Sequence, residues 1–217
     1  MRISEIFYSV QGEGKNAGKP IIFIRTSGCN LHCKFCDSAY ALNVKSGEEW
    51  TPDQIIQELK KYPQCLSVCI TGGEPLIQKE FENLITALYE NRYDVEVETN
   101  GTIMKPRISC GIAIQWNVSP KLSNSGHSSE EAINEKILRG FNSHGLFKFV
   151  ISDEESFVEA HQIIERFHLR NIYLMPEGRD DVRIKETAKW LVEKCKQYNY
   201  CFSPRLHVWL WGDERGV

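Results

Sequence analysis

Short apolar runs that alternate with amphipathic helical patterns leave this chain few possible folds. Strands are expected at 3–9, 21–25, 66–71, 95–99, 112–118, 147–151, 172–175 and 206–210. Between them, Thr51 offers an N-cap, Pro52 a first helical residue and Gln54 a capping-box partner, before Ile55, Ile56 and Leu59 build an apolar face that Pro63 ends. Phe81, Leu84, Ile85 and Leu88 mark a second helix, and Ser156 opens a third that carries Ile163, Ile164 and Phe167. A last helix runs from about Asp181 to Tyr198. Strand–helix alternation implies parallel strands with right-handed crossovers, but too few for a closed eight-fold barrel of ~250 residues. The expected class is α/β, an incomplete TIM-like β/α barrel formed by one domain, 1–217. The segment 122–129, rich in Ser, Asn and Gly, reads as a mobile loop.

Composition narrows the function. With 217 residues, 41% of them hydrophobic and 25% charged, the chain can bury one substantial core. A net charge of −3 speaks against electrostatic nucleic-acid binding. The sequence lacks an apolar stretch long enough for a membrane helix, so a cytoplasmic protein is expected. Eight cysteines without an export signal are expected to be reduced and available to metals.

Cys29, Cys33 and Cys36 fall within eight residues, directly after an expected strand. Thiolates so spaced suit an iron–sulfur cluster or zinc, and three ligands leave one iron of a four-iron cluster open. A zinc site would use His32 as the fourth ligand, but adjacent His32 and Cys33 are awkwardly directed for one tetrahedron. Cys65, Cys69, Cys110, Cys195 and Cys201 are scattered and read as small buried hydrophobes.

The pattern Cys-x3-Cys-x-aromatic-Cys, with Phe35 as the aromatic residue, resembles the radical S-adenosylmethionine (SAM) superfamily. The resemblance implies a [4Fe-4S] cluster on Cys29, Cys33 and Cys36 that cleaves SAM to a 5′-deoxyadenosyl radical. Polar loops at the ends of the expected strands fit the same picture. The Thr-Gly-Gly-Glu-Pro segment from Thr71 looks like the superfamily motif that receives the methionine ammonium, through Gly73 and Glu74. Thr99, Asn100, Ser119, Pro120 and Lys121 end the next strands, and Phe35, Cys36 and Asp37 lie in the cysteine loop. Met175, Pro176, Glu177 and Gly178 are assigned to the nucleoside, although Met175 and Gly178 stand where many relatives have Gln and Asp.

The Gln-Gly-Glu-Gly segment beginning at Gln11 and the Trp-Gly-x-x-Arg-Gly-Val ending at Val217 narrow the resemblance to the 7-carboxy-7-deazaguanine synthase family. That implies conversion of 6-carboxy-5,6,7,8-tetrahydropterin into 7-carboxy-7-deazaguanine with loss of ammonia, with no side chain acting as acid, base or nucleophile. Val10, Gln11, Gly12, Glu13, Arg25, Thr71, His207 and Val217 are the expected pterin contacts. Gln11 and Glu13 would take the 2-amino-4-oxo edge, and Arg25 the carboxylate. Ser38 would ligate Mg²⁺ together with substrate and water. The apolar run Val208, Trp209, Leu210 and Trp211 is expected to dock the tail. A homodimer and an electron-donor protein such as a flavodoxin are family expectations. A glycyl-radical-enzyme activating protein and a zinc-stabilised binding module are the rival readings.

Overall fold

The computed structural model describes residues 1–217. In chain order it contains β1 (Arg2–Val10), β2 (Pro20–Thr26), β3 (Glu48–Glu49), α1 (Pro52–Leu59), β4 (Ser67–Gly72) and α2 (Phe81–Glu90). These are followed by β5 (Asp94–Thr99), β6 (Ile114–Val118), α3 (Ser129–Ala132), α4 (Glu135–Phe141) and β7 (Gly145–Ile151). The last elements are α5 (Glu154–Phe167), β8 (Ile172–Pro176), α6 (Asp181–Tyr198), β9 (Cys201–Phe202) and α7 (Leu206–Trp211).

The strands form one nine-stranded sheet in the order β3-β1-β2-β4-β5-β6-β7-β8-β9. From β2 to β9 every neighbour is parallel, joined by crossovers that are helical except between β5 and β6. The sheet belongs to an incomplete TIM-like barrel. Two strands depart from the expected parallel pairing: β1 runs antiparallel to both β2 and β3. Only residues 11–19 separate β1 from β2, too few for a crossover to a parallel strand, so the chain reverses.

Alternation within the strands sorts two chemistries onto two faces. Val95 and Val97 of β5 join Leu84 and Leu88 of α2 in a 34-residue apolar core. Their neighbours Glu96 and Glu98 lie on the opposite face, bonded to Asn117 of β6. Helix α1 shows the expected capping box, with Thr51 accepting from the Gln54 amide and the Gln54 side chain accepting from the Thr51 amide. It ends at Leu59, before Pro63.

Other expectations are corrected. Helix α5 begins two residues before Ser156, because Asp153 is the N-cap and Ser156 its reciprocal partner in the first turn. The segment 206–210 is helix α7, and β9 takes the sheet edge; five apolar residues are too few to separate the two periods. Short helices α3 and α4 had no clear signal. The segment 122–129 begins as an anchored turn, with Leu122 and Ser125 buried and Ser123 bonded to Glu159. Cys201 is exposed and Cys110 half-buried, unlike buried Cys65, Cys69 and Cys195.

Candidate active site

Parallel strands present their carboxyl ends at one rim, and there the chain encloses a cavity of about 270 Å³. Arg25 reaches it from β2, Thr71 from β4, Thr99 from β5, Ser119 after β6, Lys148 from β7 and Met175 from β8. The loop after β2 carries Cys29, Cys33 and Cys36 over the same opening. Gly72 and Gly73 allow this closure. A Cβ on Gly73 would stand 1.9 Å from the Gly28 carbonyl oxygen, so the β4 loop can lie against the cysteine loop only without a side chain. Hydrogen bonds from Gly73 N to Thr26 O (3.0 Å) and from Glu74 N to Gly28 O (2.8 Å) hold the contact.

The three cysteine thiols face the cavity and are half-buried. Burial pushes each above the ordinary thiol range, and for Cys33 the nearby Lys121 works against that rise. Tetrahedral zinc with bonds of about 2.3 Å needs sulfurs roughly 3.8 Å apart. The three cysteines form no set of ligand atoms within 4.8 Å of one another, so no zinc tetrahedron is preassembled there.

Glu74 is fully buried and lies outside the cavity lining. Its carboxylate accepts from Thr99 Oγ1 (2.8 Å), Asn100 N (2.7 Å) and Leu76 N (3.1 Å), tying the β4 loop to the end of β5. Burial raises its carboxyl in spite of those bonds. The Glu74 side chain thus braces the β4 loop against the end of β5. Pro120, Pro176 and Gly178 also lie outside the lining, whereas Phe35, Asp37, Asn100, Lys121 and Glu177 are in it. Lys121 Nζ donates to Ser119 Oγ at 2.8 Å.

The sheet's inner face brings buried charges together under this rim. Glu13 receives hydrogen bonds from Lys148 Nζ and from Arg205 Nε (3.3 Å). Lys148, only 4% exposed, also donates to Glu98 Oε2 at 2.9 Å. Arg205 continues the chain to Asp37 and to the Gly178 carbonyl. Burial alone would raise the Glu13 carboxyl, but Lys148 and then Arg205 hold it well below the carboxylate range. Burial would likewise depress Lys148, and its two glutamates reverse that and keep it cationic. His207 is pushed down by burial, with Glu13 opposing. Ligand atoms of Glu13, Asp37 and His207 lie within 4.8 Å of one another, but Arg205 and Lys148 already balance the two carboxylates.

Gly12 leaves room for His207, whose Nδ1 would stand 2.0 Å from an added Cβ. Val10, Gln11 and Gly12 line the cavity. The Gln11 amide group, however, donates to Glu96 Oε2 (3.2 Å) and Cys69 Sγ (3.8 Å), and its oxygen accepts from Glu13 N (3.3 Å). The Gln11 side chain is thus engaged within the protein.

Arg25 sits between the rings of Phe7 and Tyr40. Its Nε donates to Glu5 Oε1 at 2.7 Å and its Nη1 to Ser38 Oγ at 2.9 Å. Burial would raise the Glu5 carboxyl, but hydrogen bonds from Tyr40, Arg215 and Arg25 outweigh it and hold it low. The final segment through Val217 borders the cavity. Its expected anchor is wrong: Val208 is buried, but Trp209, Leu210 and Trp211 are 42%, 56% and 37% exposed. Helix α7 puts them on an outer surface that alternation in a strand would have half-buried.

Sequence reasoning missed Lys148, Glu98, Arg205, Glu5 and Tyr40. For Lys148 a signal existed: it is the one charge in an otherwise apolar strand, β7. Glu96 and Glu98 alternate with Val95 and Val97, which marks a strand with one polar buried face.

Residues 23–191 match the family model described as the radical SAM superfamily. The chain is 33% identical over 236 residues to a 7-carboxy-7-deazaguanine synthase of Halobacterium salinarum, covering 97% of this chain and 90% of that protein. It is 31% identical to the protein of the same name from Pyrobaculum aerophilum, covering 100% and 97%. Among solved structures, QueE from Escherichia coli superposes with a TM-score of 0.75 at 24% identity, covering 95% of this chain and 94% of that one.

Proposed function

The chain belongs to the 7-carboxy-7-deazaguanine synthase family of the radical SAM superfamily, and from that premise we propose how its cavity acts on a pterin. It is a radical SAM lyase that uses a [4Fe-4S] cluster and SAM to convert 6-carboxy-5,6,7,8-tetrahydropterin to 7-carboxy-7-deazaguanine with loss of ammonia. The observation that carries the substrate reading is the presence, in one cavity, of a cation on β2, Arg25, and an ionised carboxylate in the loop after β1, Glu13. A substrate with a carboxylate at one end and an amine-bearing edge at the other fits that pair.

Cys29, Cys33 and Cys36 hold the cluster. When bound, cluster and SAM supply one-electron cleavage and hydrogen abstraction from the substrate. The chain's own residues orient the reactants. Arg25 takes the substrate carboxylate, while Glu13, fixed as an acceptor by Lys148 and Arg205, takes the 2-amino edge. Thr71, His207 and Val217 complete the pterin contacts, with backbone from Val10, Gln11 and Gly12. Gly73, Thr99, Asn100, Ser119, Lys121, Met175 and Glu177 face SAM, and Phe35 and Asp37 flank it. No side chain supplies a nucleophile.

Mg²⁺ belongs at the Ser38 hydroxyl, next to Asp37, where the donors are oxygens suited to a hard cation. Arg25 donates to that same hydroxyl, so the cation and Arg25 would both stand near the substrate carboxylate and offset its charge. The chain acts as one domain, 1–217, in the cytoplasm, reduced by an electron-donor protein such as a flavodoxin. A homodimer would cover exposed Trp209, Leu210 and Trp211. No helix is long and apolar enough to cross a membrane.

The test is anaerobic incubation of the reconstituted protein with SAM, reductant, Mg²⁺ and 6-carboxytetrahydropterin, with mass spectrometry of the products. Formation of 7-carboxy-7-deazaguanine is expected. SAM cleavage without that product would sink the substrate assignment, and zinc without iron or sulfide would sink the cofactor.

A further inference from the structure

The segment after α7 is held by very little. Beyond Gly212, residues 213–217 make no backbone–backbone hydrogen bond. One side chain ties them down: Arg215 Nε donates to Glu5 Oε2 at 2.8 Å, and its guanidinium lies 4.0 Å from the centre of the Tyr40 ring. Gly216, at φ +76°, then turns the chain so that Val217 borders the cavity.

Glu5 is shared. Its other oxygen accepts from Arg25 Nε at 2.7 Å and from Tyr40 Oη at 2.7 Å. The regular part of the β1–β2 ladder makes this possible. It pairs Glu5 with Arg25 and Phe7 with Phe23, and the register shift lies before it, between Ile3 and Glu5. Alternation therefore sets Glu5 on the same face as stacked Phe7 and Phe23.

We propose that Glu5 and Arg215 are positioning residues that couple two events, the aiming of Arg25 at the substrate carboxylate and the closing of the 213–217 strap over the cavity. One carboxylate holds both guanidiniums, so the strap is latched onto the group that reads the substrate. This deepens the pterin reading and rests on it for the role of Arg25. The Glu5 side chain is 15% and the Arg25 side chain 16% exposed, whereas that of Arg215 is 53% exposed, so the latch can open without disturbing the core.

The experiment compares Arg215→Ala, Glu5→Gln and the double variant with the wild-type holoenzyme. Arg215→Ala, on the surface, leaves the fold intact. A partly exposed ion pair together with a cation–π contact is worth roughly a tenfold shift in strap opening. Carboxypeptidase should therefore remove Val217 and Gly216 roughly tenfold faster from Arg215→Ala, and Arg215→Lys should recover part of the protection. KM for 6-carboxytetrahydropterin should rise about as much, with kcat within about twofold. In the Glu5→Gln background, Arg215→Ala should add less than twofold. Wild-type rates of trimming in Arg215→Ala, or independent, additive effects of the two substitutions, would overturn the proposal. The trimming assay needs no substrate; failure of the wild type to turn over the pterin would count against the functional reading, with the latch still measured.

Discussion

Replacing Lys148 by methionine removes the one cation between two buried carboxylates, and its cost can be worked from the structure. The side chains of Lys148, Glu13 and Glu98 are 5%, 14% and 18% exposed, so water cannot take over the role of the ammonium. Breaking such a pair costs about 3–5 kcal/mol, since it strands charge in the interior. For a chain of this size each kcal/mol moves Tm by roughly 2–4 °C, so Tm should fall by about 6–20 °C at neutral pH. The pH dependence follows from sign. Glu13 has a depressed carboxyl, so its stabilisation is present above the unfolded pKa and disappears as pH falls through the folded one. Without Lys148 that depression shrinks and Glu98, already raised by burial, rises further. The variant's deficit should then be largest near pH 8 and smaller near pH 5, where the carboxyls take up protons. Thermal and urea unfolding at both pH values measure it, and Glu98→Gln added to Lys148→Met should recover part of the loss. A deficit below about 1 kcal/mol, or one independent of pH, would refute the reasoning.

Two further outcomes are expected. Gly73→Ala should lose most activity and bind cluster iron poorly, because its Cβ would meet the Gly28 carbonyl at 1.9 Å; iron and sulfide analysis checks this. Glu74→Ala should cost about 2 kcal/mol or more in urea unfolding by leaving the Thr99 hydroxyl and the Asn100 and Leu76 amides without their acceptor, whereas Glu74→Gln should cost less.

How much was legible depended on the range of the signal. The capping box at Thr51 and the cysteine spacing are local; the structure carries the first as read and sets all three cysteines at one cavity. Helix α7 was misread because Leu206–Trp211 is too short for its period to separate from a strand. Antiparallel β1 was hidden because pairing direction depends on the connection to β2, not on the apolar pattern of either strand. The charged interior was the hardest to foresee. Glu13, Lys148 and Arg205 are far apart in sequence, and only the tertiary fold, which sets the segments after β1 and β9 against β7, makes them neighbours. Gln11 shows the converse, since its position at the cavity was readable but the partner of its amide, Glu96 on another strand, was not.

The most direct test of the central claim, that one cavity brings pterin and SAM together for hydrogen transfer, uses pterin deuterated at the carbon bearing the carboxylate. Turnover should place deuterium in recovered SAM while unlabelled 7-carboxy-7-deazaguanine accumulates. Product formed with no deuterium in SAM, or SAM cleaved with the pterin untouched, would contradict the account.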